Sequence, residues 1–195
     1  MIGWLTQYAK KESPNCYRAG STNCKPVELL VLHYTAGYTG QSSVGWLTNP
    51  AAKASAHFVV DRDGKVTQLV SLADRSWHAG GATSRWRGMS PNPISWGIEI
   101  ANLGPLKAQQ GYLVDAYDRI FGGPVFYDET GRPWEAYPEA QVAAVAKLVG
   151  ELTALEPKLL LQDGPGLPRI CGHQDVDPSR KLDPGPAFPW SRIER

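Results

Sequence analysis

Hydrophobic and polar positions change period several times along the chain, and each change predicts an element. Residues 27–35 (VELLVLHYT) are mostly apolar and favour β-structure, which is typical of a strand buried on both faces. Residues 55–70 (SAHFVVDRDGKVTQLV) predict two strands joined at residues 63–64, where Asp-Gly is a strong hairpin signal. Residues 94–101 (ISWGIEIA) alternate cleanly between apolar and small or polar positions, which predicts a further strand.

A helical period occurs in two places. Residues 138–155 carry proline in the first turn and valine and leucine at helical spacing, which predicts the longest helix. Residues 41–48 predict a short helix capped by Ser42 or Ser43. A last short strand is predicted over residues 169–174. This order of elements indicates an α/β domain with a mixed central β-sheet flanked by helices.

The 195 residues fit one domain over 1–195, since neither repeats nor a linker mark a second. Residues 1–26 contain several breakers and are predicted to be an irregular N-terminal segment. Residues 103–137 are rich in glycine, proline and aromatic residues and predict a long loop insertion with a small hairpin around residues 129–131. Loops of this length in compact domains are usually functional.

Composition excludes some classes of partner. The net charge is +1, from 20 basic and 19 acidic residues, so neither nucleic acid nor a membrane surface is an expected partner. The N-terminus lacks the pattern of a secretory signal peptide, which predicts synthesis in the cytoplasm. The three cysteines do not form a disulfide framework, and pairing of Cys16 with Cys24 stays open.

Candidate chemistry lies at strand ends, where α/β sheets build their sites. His33 lies near the end of the first predicted strand and His173 near the end of the last. Asp183 precedes a proline and is therefore biased to extended backbone, which would point Lys181 and Asp183 to one face. Two histidines and an aspartate form a three-ligand set with an open position, as in catalytic zinc sites. Spacing alone leaves a packing role for each histidine open, and for His57 the core is favoured.

Glu99 adds independent evidence. It lies on the non-apolar face of the strand over residues 94–101, between Gly97 and Ala101, which leave space around it. A carboxylate in a roomy, half-buried position suits a general base. The alternative is a glutamate that faces solvent on an edge strand. Three tryptophans could stack on sugar rings, although such residues more often pack: Trp46, Trp86 and Trp134.

Five motifs occur in one order along the chain: VLHYTA, SAHFVVDRDG, RSWHAG, ISWGIEIAN and GHQDVDPSRKLDPGPAF. Together they resemble the AmpD-type N-acetylmuramoyl-L-alanine amidases, whose superfamily includes peptidoglycan recognition proteins and amidase-type phage lysozymes. The resemblance runs from about Ser13 to Trp190. It implies a zinc-dependent hydrolase that cuts the amide bond between N-acetylmuramic acid and L-alanine in peptidoglycan or its fragments.

The resemblance also implies roles for single residues. The ligands of one catalytic Zn²⁺ would be His33, His173 and Asp183. The catalytic residues would be Glu99 as the base and Lys181, which stabilises the transition state. The substrate-binding residues would be Tyr34, Trp77, His78 and Asn92.

Two departures bear on the branch of the family. Ala56 stands where several phage lysozymes have tyrosine, which argues against that branch specifically. The insertion over 103–137 is longer than in compact cytosolic recycling enzymes. The insertion favours a wall-degrading, endolysin-like and bacteriolytic role. The enzyme would act in the cytoplasm on muropeptides, or on the wall after release by lysis or a secretion system. An immunity or regulatory partner stays unknown.

Two other functions compete. A non-catalytic peptidoglycan-binding protein is disfavoured, because such relatives lack the third zinc ligand and Asp183 is present. A non-haem iron oxygenase would also use two histidines and a carboxylate, and residues 173–175 (HQD) match half of that motif. No histidine follows residue 173, however, and the helix over 138–155 disagrees with a nearly all-β fold.

Overall fold

The computed structural model describes residues 3–80, 86, 88–161 and 167–193. Within these residues the strands are β1 (Ala9–Lys10), β2 (Cys16–Tyr17), β3 (Leu29–Tyr34), β4 (Phe58–Val60), β5 (Val66–Gln68), β6 (Arg75–Ser76), β7 (Ser95–Ile100), β8 (Lys107–Gln109), β9 (Tyr112–Val114), β10 (Val125–Tyr127), β11 (Pro133–Glu135) and β12 (Ile170–Gly172). The α-helices are α1 (Gly40–Leu47), α2 (Glu139–Leu155) and α3 (His173–Val176). Short 3₁₀ turns occupy Pro50–Ala52, Asn92–Ile94, Pro157–Leu160 and Trp190–Arg192.

A six-stranded mixed sheet forms the centre, in the order β1-β5-β4-β7-β3-β12. Strands β4, β7, β3 and β12 run parallel, while β5 is antiparallel to β4. His33 of β3 lies opposite Glu99 of β7 in the register. Because parallel strands end at the same edge, His33, Glu99 and the residue after β12, His173, meet there. This confirms the predicted α/β fold with a mixed central sheet.

Both faces of the sheet are covered. Helix α2 packs Val145, Leu148 and Leu152 against one face. On the other face, Leu29 and Val31 pack with a separate apolar cluster. Side chains of β3 are therefore buried on both sides from residue 29 to 32, as its apolar run predicts.

The cap of α1 differs from the sequence prediction. Thr39, and neither Ser42 nor Ser43, caps the helix: its Oγ1 accepts a hydrogen bond from the backbone N–H of Ser42 at 3.1 Å. Thr39 has the extended backbone that an N-cap requires, whereas the two serines lie inside the first turn and donate back to the carbonyl of Thr39. The long helix over 138–155 and the hairpin joined at 63–64 are confirmed.

The N-terminal segment and the insertion hold more strand than their composition indicates. β1 adds to the edge of the main sheet beside β5, and β2 pairs with β6. Residues 103–137 form two hairpins, β8–β9 and β10–β11, of which the second is the predicted one around residues 129–131. Cys16 and Cys24 both carry free thiols. No helix in the described part of the chain is long and apolar enough to cross a membrane.

Candidate active site

Three side chains converge at the carboxyl edge of the sheet. The Nδ1 atoms of His33 and His173 are 2.9 Å apart, and Oδ2 of Asp183 lies 2.8 Å from the first and 3.0 Å from the second. All three residues are buried. Two ring nitrogens and one carboxylate oxygen therefore point into the same small volume.

Local backbone contacts fix two of these side chains. β12 ends at Gly172 because the next residues turn into α3, where Asp175 accepts a hydrogen bond from the N–H of Gly172 at 2.8 Å. The N–H of Gln174 donates to the carbonyl of Asp183 at 2.9 Å, which holds the returning segment against α3. Gly172 permits this approach, since a Cβ there would lie 2.6 Å from Cδ of Pro184.

A chain of hydrogen bonds determines the tautomer of His33. The hydroxyl of Ser95 donates its single proton to the carbonyl of Pro91 at 2.6 Å, so it must accept at 2.8 Å from Nε2–H of His78. Neutral His78 then has a bare Nδ1, which accepts at 2.9 Å from Nε2–H of His33. Nδ1 of neutral His33 is consequently left bare toward His173 and Asp183.

The ionisation of the cluster follows from its surroundings. Burial, and next the neighbouring His173, lower the pKa of His33 to about 4, so this ring is neutral at pH 7. Burial alone would raise the pKa of Asp183, but its close contacts with the rings of His173 and His33 hold it well below its usual value. A buried carboxylate beside the bare Nδ1 of His33 is costly without a cation. The set of ligands fits Zn²⁺, which prefers these ligand types.

Glu99 faces the same cavity, which has a volume of about 380 Å³ and is also lined by Lys181. Among the described residues, Oε2 of Glu99 has no hydrogen-bond partner. Burial, and then the charge of Asp183, raise the pKa of Glu99 to about 8, while the ammonium of Lys181 acts in the opposite direction. A carboxylate without a partner and with a pKa near neutrality is suited to taking and returning a proton.

Lys181 and Asp183, in the segment that follows α3, both line the cavity. This segment therefore places a cation and an anion in the same cavity. The backbone N–H of Lys181 donates to the carbonyl of Asp177 at 3.0 Å. Arg180 forms an ion pair with Asp177 and donates to the carbonyl of Gly80 at 3.0 Å. These contacts anchor the segment.

The four residues predicted to bind substrate have different surroundings. Tyr34 and His78 line the cavity of about 380 Å³ beside His33, His173 and Asp183, which is called the metal cavity below. Asn92 is buried, and its Oδ1 accepts hydrogen bonds from the backbone N–H groups of His78 at 3.1 Å and Ala79 at 2.7 Å. Trp77 lies outside the lining of the cavity and packs against the ring of Tyr17, with ring centroids 5.6 Å apart.

His57 is a core residue, as predicted. It is fully buried, and burial lowers its pKa to about 3. Its Nδ1 accepts from the backbone N–H of Gly97 at 3.1 Å, and its Nε2 lies 3.2 Å from the carbonyl of Asp74. Trp86 and Trp134 are also buried, whereas Trp46 is 57% exposed.

A second cavity of about 740 Å³ adjoins the first, and the two share Thr35, Ala36 and Glu99. Its far wall includes Tyr117 and Arg119, which lie in the insertion. From the sequence, the long segment over 103–137 was expected to be functional. Tyr117 and Arg119 were not singled out, because no periodicity or motif distinguishes them within that segment.

The sequence profile of the family described as N-acetylmuramoyl-L-alanine amidase matches residues 23–186. The chain belongs to this amidase family. The match spans the strands, helices and loops that supply every residue of the metal cluster, together with Glu99 and Lys181.

Known relatives cover nearly the whole chain. The 1,6-anhydro-N-acetylmuramyl-L-alanine amidase AmpD of Haemophilus influenzae is 26% identical, over 97% of this chain and 92% of its own length. The crystal structure of a selenomethionine derivative of AmpD superposes with a TM-score of 0.68 at 25% identity, covering 99% of this chain and 96% of that one. The resemblance to AmpD-type amidases is thereby confirmed.

A third relative contains a ligand. Escherichia coli AmiD, solved in complex with the substrate anhydro-N-acetylmuramic acid-L-Ala-D-gamma-Glu-L-Lys, is 28% identical to this chain with a TM-score of 0.63. The match covers 90% of this chain and 59% of AmiD.

Proposed function

We propose that this protein is a zinc-dependent N-acetylmuramoyl-L-alanine amidase, which hydrolyses the amide bond between N-acetylmuramic acid and L-alanine in peptidoglycan or its fragments. The observation that carries the proposal is the position of Glu99. Its Oε2 has no hydrogen-bond partner in the described part of the chain, its pKa is raised, and it lines the same cavity as His33, His173 and Asp183.

His33, His173 and Asp183 would hold one Zn²⁺ ion. When bound, the ion supplies Lewis acidity, which polarises the scissile carbonyl and makes water acidic enough to ionise near pH 7. The neutral state of His33 and the ionised state of Asp183 leave both ready to bind the ion without first losing a proton.

The remaining chemistry belongs to side chains of the cavity. Glu99 accepts a proton from the attacking water as its oxygen bonds to the carbonyl carbon. It then delivers that proton to the amide nitrogen as the carbon–nitrogen bond breaks, which releases the amine of L-alanine and the carboxylic acid of the muramic acid. The acid then ionises and its proton goes to the amine or to solvent. Lys181 lines the same cavity, which supports a role for its ammonium group in stabilising the negative charge that develops on the carbonyl oxygen.

The motif residues would support this chemistry in two ways. Tyr34 and His78 line the cleft, which supports a part for both in binding substrate. His78 would also orient His33 through the hydrogen bond to its Nε2, as partners of metal-binding histidines generally do. Asn92 would support binding indirectly, by holding the backbone of His78 and Ala79 in place. Trp77, which precedes His78, would help to position the same loop.

The natural substrate would be a muropeptide or the intact wall. Haemophilus influenzae AmpD is named for 1,6-anhydro-N-acetylmuramyl-L-alanine, which supports soluble fragments. Action on the wall rests only on the sequence argument from the length of the segment over 103–137. A non-catalytic binding protein stays disfavoured, because Asp183 completes the set of ligands.

The test is mass spectrometry of products from purified sacculi and from soluble anhydro-muropeptides, each with and without a chelator. We expect stem peptides that begin at L-alanine to be released, and the chelator to abolish their release. The metal content of the purified protein is measured in parallel and should approach one zinc per chain. Binding of both substrates without cleavage by the zinc-loaded protein would instead establish the binding protein.

A further inference from the structure

The second cavity begins at Glu99 and leads away from the metal cluster. Because it shares Thr35, Ala36 and Glu99 with the metal cavity, a molecule whose reacting bond reaches Glu99 extends into it without crossing protein. Its volume of about 740 Å³ is nearly twice the 380 Å³ of the metal cavity. This is room for several residues of substrate beyond the bond that is cut.

The walls of this cavity combine exposed aromatic rings with hydroxyl groups. Tyr38 is 51% exposed and Tyr117 70% exposed, although both are large apolar-bodied side chains. Thr39, Ser42 and Ser43 also line this cavity, on α1 and its cap. Exposed aromatic side chains around a concave surface indicate a binding site for a ligand with both polar and apolar parts.

One cation is fixed in this wall. The guanidinium of Arg119 lies 5.1 Å from the ring centre of Tyr117 and 5.5 Å from that of Tyr38. Its Nε donates to Oδ2 of Asp115 at 2.7 Å, and Nη2 lies 2.6 Å from the same oxygen. Asp115 is buried, and its Oδ1 accepts the backbone N–H groups of Tyr117 and Arg119.

This arrangement holds Arg119 in one position while leaving half of its side chain exposed. Asp115 does not line the cavity, and Arg119 is the only basic residue among the described lining residues. The cavity therefore presents a positioned guanidinium at a distance from Glu99. A planar, preorganised guanidinium is the group best suited to bind a carboxylate.

We propose that Arg119 binds a carboxylate of the peptide stem, specifically the free α-carboxylate of a γ-linked D-glutamate that follows L-alanine. This rests on the proposed function. Linkage through the γ-carbon leaves the α-carboxylate free, and it is the first charged group after the bond that is cut. Two residues of extended chain span about 7 Å, which carries that group out of the metal cavity and into the second one.

The test compares four synthetic muropeptides with the zinc-loaded protein. The D-glutamate carries either a free α-carboxylate or the corresponding amide, and the third residue is either lysine or its carboxylated counterpart, a diamino diacid. We expect kcat/KM to be about tenfold higher for the free acid than for the amide, whichever third residue is present. Arg119→Gln should reduce this preference to about one by slowing the free acids alone, and Arg119→Lys should retain part of it.

The amides are an internal control for folding, because a damaged hairpin would slow all four substrates together. Arg192→Gln is the matched variant: Arg192 is similarly exposed and also paired, with Glu139 on α2, and does not line the cavity. It should keep the wild-type preference.

Several outcomes would overturn the inference. Equal rates for acid and amide in the wild type would do so, as would an equal loss on all substrates in Arg119→Gln. A preference that follows the carboxylate of the third residue would place Arg119 elsewhere along the stem. Calorimetric binding of the same four compounds to Glu99→Gln protein, with and without Arg119→Gln, tests the carboxylate site even if the wild type cleaves nothing, which would defeat the proposed function alone.

Discussion

The metal cavity and the cavity beside Arg119 share Glu99 but are built in opposite ways. In the first, buried side chains at the ends of β3, β7 and β12 are fixed by the central sheet and by one another. In the second, exposed aromatic rings and one arginine are carried by a loop and an insertion hairpin. Under the proposed function, the groups that break the bond lie on the rigid scaffold, while the groups proposed to select the substrate lie on segments that can change without disturbing it.

The largest expected effect concerns Glu99, the residue common to both cavities. Glu99→Gln should lower kcat about 10³-fold, because the amide cannot take a proton from water, while the metal content stays near one per chain. Steady-state kinetics and metal analysis measure the two quantities. Glu139→Gln, at an exposed position on α2, is the control. Loss of the metal from Glu99→Gln would make Glu99 a ligand.

The next effect concerns the charge in the metal cavity. Lys181→Ala should lower kcat about 10² to 10³-fold with unchanged thermal stability, since a positioned donor to the carbonyl oxygen is lost. Lys181→Arg should recover part of the rate. Lys147→Ala, on the exposed side of α2, serves as the matched variant and should be neutral. Near-normal turnover in Lys181→Ala would remove Lys181 from the mechanism.

Variants of His78 and His57 test whether His78 orients His33 or only packs in the interior. His78→Ala should weaken zinc affinity about 10 to 100-fold, because His33 loses the acceptor that fixes its tautomer. Ser95→Ala should weaken zinc affinity less, because Ser95 contacts His78 and not His33. Competition with a chromophoric chelator measures the affinity directly, without reference to turnover.

His57→Gln provides the contrast, because His57 is equally part of the interior but contacts the backbone of Gly97 and Asp74 instead of a ligand. It should lower thermal stability and leave zinc affinity unchanged. An equal loss of affinity in both variants would show that His78 acts only through the fold.

A smaller effect is expected at the wall of the second cavity. Tyr117→Ala should raise KM about two to tenfold with kcat unchanged, because it removes aromatic contact that is equal in the ground and transition states. Tyr112→Ala is the control: Tyr112 is 59% exposed on the neighbouring hairpin strand β9 but does not line the cavity. A fall in kcat at Tyr117 would assign this wall a part in the chemistry.

A separate prediction, on stability instead of turnover, concerns the metal-free protein. The pKa of Glu99 is raised from 4.5 to about 8, so the folded state binds this proton more tightly than the unfolded state does. Stability should therefore fall as pH rises from about 4.5 to 8, and Glu99→Gln should remove that part of the decline. Thermal unfolding with a chelator at pH 5, 7 and 9 measures it; a Tm difference between wild type and variant that does not grow with pH would contradict the raised pKa.

The elements predicted correctly from the sequence are those in which the spacing of apolar residues matches the face that is buried. The apolar run of β3, the alternation of β7 and the helical spacing of α2 each reflect the face that packs, so local pattern and tertiary structure coincide. The cap of α1 was wrong, because three hydroxyl residues stand close together and only backbone geometry separates Thr39 from the serines. Strands β1 and β2 have two residues each, too short for any period to be visible.

That His33, His173 and Asp183 lie together could be predicted, because two of them stand at strand ends and all three lie in motifs that resemble the family. The contact of His78 with His33 could not, since the two residues are brought together by pairing of distant segments. Arg119 was missed for another reason. Its position depends on a hairpin in an insertion, where composition indicates a loop but not the direction of any side chain.

The order of the strands has a consequence for how the protein is made. His33 and Asp183 are 150 residues apart in sequence, and the parallel pairs β3–β7 and β3–β12 join remote segments. Such long-range pairing forms slowly, and it requires that the last of these segments has left the ribosome. A chain synthesised only as far as α2 therefore lacks the cluster, so the proposed capacity to cut peptidoglycan would arise only after Asp183 has been made.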